Sequence, residues 1–152
     1  EMCRQLGHEF GATTGRKRLC GWFDALLARH AGRVNGLNSL IITKLDVLDT
    51  FDEIRICTGY KYQGEVIDHF PASLNVLQQC VPVYETVPGW KSDTGPARHL
   101  TDLPREARHY IARLEEVTEI PVSLISVSPS RESYICRDES LLNYQFEAPG
   151  SE

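Results

Sequence analysis

The residues best suited to chemistry stand together near the start of the chain: Gly11, Ala12, Thr13, Thr14, Gly15, Arg16, Lys17 and Arg18. Two glycines allow a tight turn and a close approach of backbone to a ligand, and two threonines supply hydroxyls. Three consecutive cations follow, so the loop has the makings of an anion site. If the loop is extended, side chains alternate in direction, and Arg16 and Arg18 share a side while Lys17 points away. Two guanidinium forks could then converge on carboxylate or phosphate oxygens. The plainer reading of the same residues is a solvated basic turn ahead of a helix.

The remaining reactive residues argue by exclusion. His8, His30, His69, His99 and His109 include no pair at metal-ligand spacing with a third candidate beside it, so none is assigned to a metal. Five cysteines, Cys3, Cys20, Cys57, Cys80 and Cys136, are odd in number and widely spaced, with no Cys-x-x-Cys pair. Reduced thiols in a cytosolic protein account for them better than zinc or a disulfide framework. The formal charge of −5 opposes general nucleic-acid binding, which gains from a net basic surface. No apolar run reaches the roughly 18 residues of a membrane helix, and no signal peptide opens the sequence.

The elements that would position these groups follow from periodicity. A helix is predicted from Trp22 to Val34, with Phe23, Leu26, Leu27, Ala31 and Val34 near one face, ended by Asn35 and Gly36. Leu40, Ile41 and Ile42 read as a strand covered on both faces. Thr43, Lys44, Leu45 and Asp46 therefore fall at a strand's C-terminal end, where open parallel sheets bind ligands. Ile54, Ile56, Tyr60 and Tyr62 alternate with polar residues as in a half-exposed strand, and Gln63-Gly64 turns a hairpin into Val66, Ile67 and Phe70. Ser73 is placed to cap a short helix through Gln79.

Val81 and Val83 suggest a further strand closed by Pro88 and Gly89, and residues 91–101 read as loop. Pro104 suits a first helical turn, and Ala107, Tyr110, Ile111, Leu114 and Val117 continue at helical spacing. Val122, Leu124 and Ile125 form a last strand leading to Ser126, Val127, Ser128 and Pro129. These elements predict an α/β layered fold, mostly parallel, with an antiparallel hairpin insertion. Beyond Arg137, residues 138–152 are expected to be a partly mobile tail carrying Leu141, Leu142, Tyr144 and Phe146. At 152 residues with 41% hydrophobic content, the chain suits one domain.

Several motifs resemble one family. His8-Glu9-Phe10-Gly11-Ala12-Thr13-Thr14-Gly15-Arg16-Lys17-Arg18, then Cys20-Gly21-Trp22-Phe23-Asp24, resembles the signature loop of the adenylosuccinate synthetases. Thr43-Lys44-Leu45-Asp46-Val47-Leu48-Asp49, Tyr84-Glu85-Thr86-Val87-Pro88-Gly89-Trp90, and Leu103-Pro104 leading into Tyr110-Ile111 follow in the family's order. The resemblance spans residues from about His8 to Arg131. It implies a P-loop GTPase-like sheet, and it implies that residues 1–137 are the C-terminal portion of a much longer enzyme.

The activity implied is GTP-dependent ligation of L-aspartate to inosine monophosphate (IMP), with Mg2+ as cofactor, in a cytoplasmic homodimer of the full-length protein. Ala12, Thr13, Thr14, Gly15, Arg16, Lys17 and Arg18 would form the loop that closes on aspartate. Arg16 would also reach the IMP ribose, and Arg18 would lie near GTP. Lys44, Leu45 and Asp46 resemble the guanine-reading motif: a carboxylate's two acceptors match the N1–H and 2-amino donors of guanine. Lys44 would lay its stem along the purine face or brace the loop.

Ser126, Val127 and Ser128 stand where many members have Ser-Thr-Gly, also against the base. If the family backbone needs a positive φ there, Ser128 would be strained. The phosphate-binding loop, catalytic aspartate, histidine acid and Mg2+ ligand of the family would all precede this chain. No catalytic or metal-ligating residue is then expected here, and the chain alone is expected to be inactive. The alternatives are a non-catalytic guanine-nucleotide-binding module, which would have no use for the Thr-Thr-Gly-Arg loop, and an inactive truncated fragment.

Overall fold

The computed structural model describes residues 1–138. Leu141, Leu142, Tyr144 and Phe146 of the expected tail lie outside the described residues. A short helix, α1 (Met2–Leu6), precedes the basic loop. Phe23 and Asp24 then form a two-residue strand, β1 (Phe23–Asp24), before helix α2 (Ala25–Asn35). The helix starts at Ala25 and not at Trp22, because Phe23 and Asp24 pair in parallel with Ile56 and Cys57. Asp24 caps it: Oδ1 accepts the Leu27 N–H at 3.0 Å. Gly36, at φ 63°, ends it in the left-handed region that glycine adopts freely.

The buried stripe of α2 also differs from the periodicity. Ala25, Leu26 and Gly32 face inward, whereas Leu27 and Val34 are 46% and 70% exposed. The cause is the close approach of Ile120, whose Cδ1 lies 2.3 Å from where a Cβ on Gly32 would stand. The helix turns Gly32, its smallest residue, toward that neighbour.

Strand β2 (Leu40–Ile42) leads into a 3-10 turn at Leu45–Leu48. Next come β3 (Glu53–Tyr62) and β4 (Glu65–Ile67), joined by Gln63 at φ 50° and Gly64 at φ 91°. Two successive positive φ angles are what a tight two-residue hairpin requires. The alternation of β3 holds at Ile54 and Ile56, then slips at a register shift between Cys57 and Gly59. That shift sends Cys57 and Tyr60 into a second small cluster with Leu26, against Ile67, Phe70, Leu77 and Cys80.

Helix α3 (Leu74–Leu77) is shorter than predicted, and Ser73 serves it through its backbone carbonyl, with no side-chain cap. Strand β5 (Val81–Pro88) ends at Gly89 as expected. A 3-10 turn (Leu100–Asp102) precedes α4 (Arg105–Thr118), whose inner face is Ala107, Tyr110, Ile111, Leu114 and Thr118. Strands β6 (Val122–Ser126) and β7 (Tyr134–Cys136) complete the described chain.

Two mixed sheets result. In one, β3 pairs in parallel with β1 and antiparallel with β4 and β5; in the other, β6 pairs in parallel with β2 and antiparallel with β7. The main core is continuous across them, with Ile54, Ile56, Val87, Ile111, Leu114, Val122, Ile125 and Val127 packed together. Burying such side chains is worth roughly 1.5–3 kcal/mol each and holds the layers together. Strand β2 is not covered on both faces: it is an edge strand with only β6 beside it among the described residues, and Ile41 is 59% exposed.

Candidate functional site

Residues 11–18 form a hairpin and not an extended strip. Phe10 and Lys17 bridge in antiparallel fashion, Gly11 N–H donates to Arg16 O at 2.8 Å, and Gly15 N–H donates to Gly11 O at 2.8 Å. Gly15 turns the tip at φ 63°, which its missing Cβ permits. Ala12, Thr13, Thr14, Gly15, Arg16, Lys17 and Arg18 are all exposed. The tip is thus offered to solvent, its backbone ordered by its own hydrogen bonds.

The hairpin's exit is fixed by buried groups. Trp22 packs edge-on to Phe51 with ring centroids 5.8 Å apart. Asp24, besides capping α2, accepts from the Tyr60 hydroxyl through Oδ2. Burial, together with that hydrogen bond to Asp24, pushes the Tyr60 hydroxyl far above its ordinary pKa, so it stays a donor.

The second loop follows β2. Lys44 holds φ 60°, an uncommon backbone for a residue with a side chain, and its ammonium reaches back to the first loop. It donates to Gly7 O at 2.6 Å and pairs with Glu9. Of the two roles open to Lys44, bracing is the one this arrangement displays. Leu45 is 1% exposed and belongs to the core, so its side chain pins the turn and faces no ligand.

Asp46 is different. Its Oδ1 is buried and has no hydrogen-bond partner among the described residues. Burial raises its pKa, and the charges of Asp49 and Asp93 push the same way, while its own backbone N–H and Lys44 oppose them. A buried carboxylate oxygen without a donor costs free energy unless a ligand supplies one.

Asp49 holds this turn in place. It accepts from Trp90 Nε1 at 2.7 Å, from the Thr94 N–H at 2.8 Å and from Thr94 Oγ1 at 2.9 Å. The loop after β5 is thereby tied to the turn carrying Asp46, and Trp90 acts as a packing anchor, its ring 6.0 Å from Tyr110.

The third segment follows β6. Ser126 and Ser128 line one cavity of about 570 Å³ with Thr43, Lys44 and Arg131. Val127 sits between them but is fully buried, and its N–H is taken by Ser133 O at 3.0 Å. Its side chain is core, and it does not line the cavity that Ser126 and Ser128 share. Ser128 is not among the residues with positive φ, so the strain considered for a missing glycine does not arise.

The fold therefore brings Lys44 together with Ser126 and Ser128, and it brings Arg18 to Lys44 through Glu9. It leaves Arg16 and Lys17 on the exposed arm. Sequence reasoning missed Glu9, Asp49 and Arg131 as site residues, although Glu9 and Asp49 both lie inside the motifs. Their partners are distant in sequence, and no local pattern signals them. Among the described residues no group of three or more His, Cys, Asp or Glu is arranged to hold a metal.

Comparison with known proteins places the chain in a family. The family profile of adenylosuccinate synthetase matches residues 1–135. The chain belongs to the adenylosuccinate synthetase family. It is 53% identical over 139 residues to the adenylosuccinate synthetase of Carboxydothermus hydrogenoformans, covering 91% of this chain and 33% of the relative. It is 56% identical over 135 residues to that of Moorella thermoacetica, covering 89% of this chain and 32% of the relative.

In structure it resembles the fully ligated adenylosuccinate synthetase of Plasmodium falciparum, with a TM-score of 0.84 and 33% identity over 90% of this chain and 33% of the other. That likeness agrees with the α/β, P-loop GTPase-like class expected from the sequence. The chain spans about one third of the length of the curated relatives it matches.

Proposed function

We propose that residues 1–137 are the C-terminal portion of a full-length adenylosuccinate synthetase, which ligates L-aspartate to IMP at the expense of GTP. In that reaction the γ-phosphoryl of GTP is transferred to the purine O6, because oxygen leaves poorly until phosphorylated. The aspartate amine then displaces phosphate at the ring carbon.

This chain's residues bind and orient. Ala12, Thr13, Thr14, Gly15, Arg16, Lys17 and Arg18 close on the aspartate, with Arg16 and Arg18 supplying charge-assisted forks to its carboxylates. Arg16 also reaches the IMP ribose, and Arg18 lies near GTP. Lys44, Leu45 and Asp46 form the guanine-reading turn, with Ser126, Val127 and Ser128 lying against the base from the loop after β6. The phosphate cradle, the acid, the base and the Mg2+ ligand belong to the rest of the enzyme. Among the described residues no group of three or more His, Cys, Asp or Glu is placed to hold a metal, and no step of the reaction here is routed through Mg2+. The full-length enzyme is proposed as a cytoplasmic homodimer.

One observation carries the reading: Asp46 Oδ1 is buried and unpartnered, in the motif whose Lys44 lines a cavity with Ser126 and Ser128. The N1–H and 2-amino group of guanine are donors suited to a carboxylate with such an unpartnered oxygen.

The test uses a full-length synthetase carrying this segment. Asp46→Asn sets an amide NH2 against the guanine amino group, so GTP binding falls. Xanthosine triphosphate, with a carbonyl at position 2, accepts from that amide and gains. At about 0.5–3 kcal/mol per hydrogen bond, the preference moves by one to several powers of ten. An unchanged GTP to xanthosine triphosphate affinity ratio sinks the guanine assignment.

A further inference from the structure

Glu9 stands at the root of the hairpin and touches both binding loops. Its backbone carbonyl accepts the Arg18 N–H at 3.0 Å, and its own N–H donates to Arg4 O at 2.9 Å. Its carboxylate is divided between two cations: Oε2 accepts from Arg18 Nη1 at 3.0 Å, and Oε1 accepts from Lys44 Nζ. Arg4 Nε closes the arrangement on Arg18 O at 2.8 Å. Hydrogen bonds from Lys44 and then Arg18 hold the Glu9 carboxyl below its ordinary pKa, so it stays charged through neutral pH.

Stability alone does not account for this arrangement. The Lys44 and Arg18 side chains are 48% and 57% exposed, and ion pairs that open to water add little to folding. What the tie does fix is relative position. His8, at φ 49°, and Lys44, at φ 60°, both hold left-handed backbone on either side of it, and neither is glycine. Backbone of that kind persists where surrounding contacts over-determine it, and the Glu9 and Gly7 acceptors for Lys44 are those contacts.

We propose that Glu9 is a positioning residue that couples the two loops: nucleotide seated at Lys44 and Asp46 sets, through the shared carboxylate, the position of the hairpin that closes on aspartate. The inference rests on the assignment of both loops made above. It assigns Glu9 no contact with substrate. Occupancy of the guanine site becomes a condition for ordering the hairpin root, which two independent loops would not impose.

The experiment is amide hydrogen exchange on a full-length synthetase carrying this segment, with GDP as probe. In the parent, GDP slows exchange at the Gly11, Gly15 and Arg18 amides by threefold or more. In Glu9→Gln, GDP still binds and this slowing is lost, while Glu9→Asp, which keeps the charge, recovers part of it. In steady-state assays Glu9→Gln raises the KM for aspartate three- to tenfold with kcat within twofold.

Lys44→Met in the parent reproduces that rise, and in the Glu9→Gln background it adds nothing further. Equal slowing by GDP in parent and Glu9→Gln, or additive effects of the two substitutions on the aspartate KM, overturns the proposal. Should Glu9→Gln fail to fold, Lys44→Met breaks the tie from the other side; because Lys44 also stands in the proposed guanine site, exchange is read at GDP concentrations that fill the variant, and retained slowing there overturns the proposal equally. If the parent itself does not bind GDP, the guanine assignment fails and takes the coupling with it.

Discussion

Asp49→Asn isolates the contribution of the network behind the Lys44 to Asp46 turn. The aspartate presents one oxygen to Trp90 Nε1 and Thr94 Oγ1, at 2.7 and 2.9 Å, and the other to the Thr94 N–H at 2.8 Å. Thr94 is 1% exposed and Trp90 7%, so water cannot replace a lost acceptor. Asparagine keeps the shape but supplies a single oxygen. In one amide orientation the Thr94 N–H faces an NH2, and in the other the indole N–H does. Leaving one buried donor unsatisfied costs about 1–3 kcal/mol, and losing the charge on the surviving bonds costs roughly 1 kcal/mol more. The expected loss of about 2–4 kcal/mol is large against the roughly 5–15 kcal/mol that holds an ordinary domain together.

Urea unfolding followed by tryptophan fluorescence measures it, with Trp22→Phe in both proteins so that Trp90 alone reports. The substitution should lower the midpoint and shift the folded emission toward longer wavelength as the indole loosens. A loss below about 0.5 kcal/mol with unmoved emission would refute the argument that Asp49 anchors the turn.

Arg16→Leu in a full-length synthetase should raise the aspartate KM by about 10- to 100-fold, from about 1.5–3 kcal/mol for a charge-assisted bond, and change GTP affinity far less. Equal losses for all three substrates would mean the hairpin is only structural. Nucleotide affinity should also depend on pH through Asp46: burial raises its free pKa, and guanine donors favour the carboxylate, so the bound pKa is lower. Affinity is therefore full above the free-state pKa and declines as pH falls through it; calorimetry in two buffers should show proton release on binding, and proton uptake would contradict the sign. Gly89→Ala would put a Cβ 1.9 Å from Phe51 O, a backbone atom that cannot swing aside, so it should cost at least about 1–3 kcal/mol in thermal or urea unfolding. Gly21→Ala, with nothing within 4 Å of its Cβ, should cost within about 0.5 kcal/mol, and equal effects at the two sites would refute the packing argument.

What the sequence made legible was local. The inner face of α4 shows in its own spacing, the turn at Gln63 and Gly64 in its residue types, and the end of α2 at Gly36 in the need for positive φ. What it hid was set by residues far along the chain. The start of α2 is displaced because Phe23 and Asp24 have strand partners in β3. Its stripe is rotated because Ile120 occupies the space over Gly32, and Ile41 is exposed because β2 lies at an edge. Periodicity records which residues are apolar and carries no information on which neighbour reaches them first.

The site divides in the same way. The cations and hydroxyls of the hairpin and the Lys44 to Asp46 motif were legible by type, but what satisfies them before a ligand arrives was not. Arg18 and Lys44 carry like charges beside one cavity, and left alone they would repel. A single carboxylate between them removes that cost and keeps both side chains aimed at one place. On the proposed assignment, a nucleotide seated beside Lys44 meets a side chain that Glu9 already holds in position, so less ordering remains to be done on binding. On the proposed coupling, a basic loop that reads in sequence as one more solvated turn becomes, with Glu9 at its root, a loop whose position depends on its neighbour's occupancy.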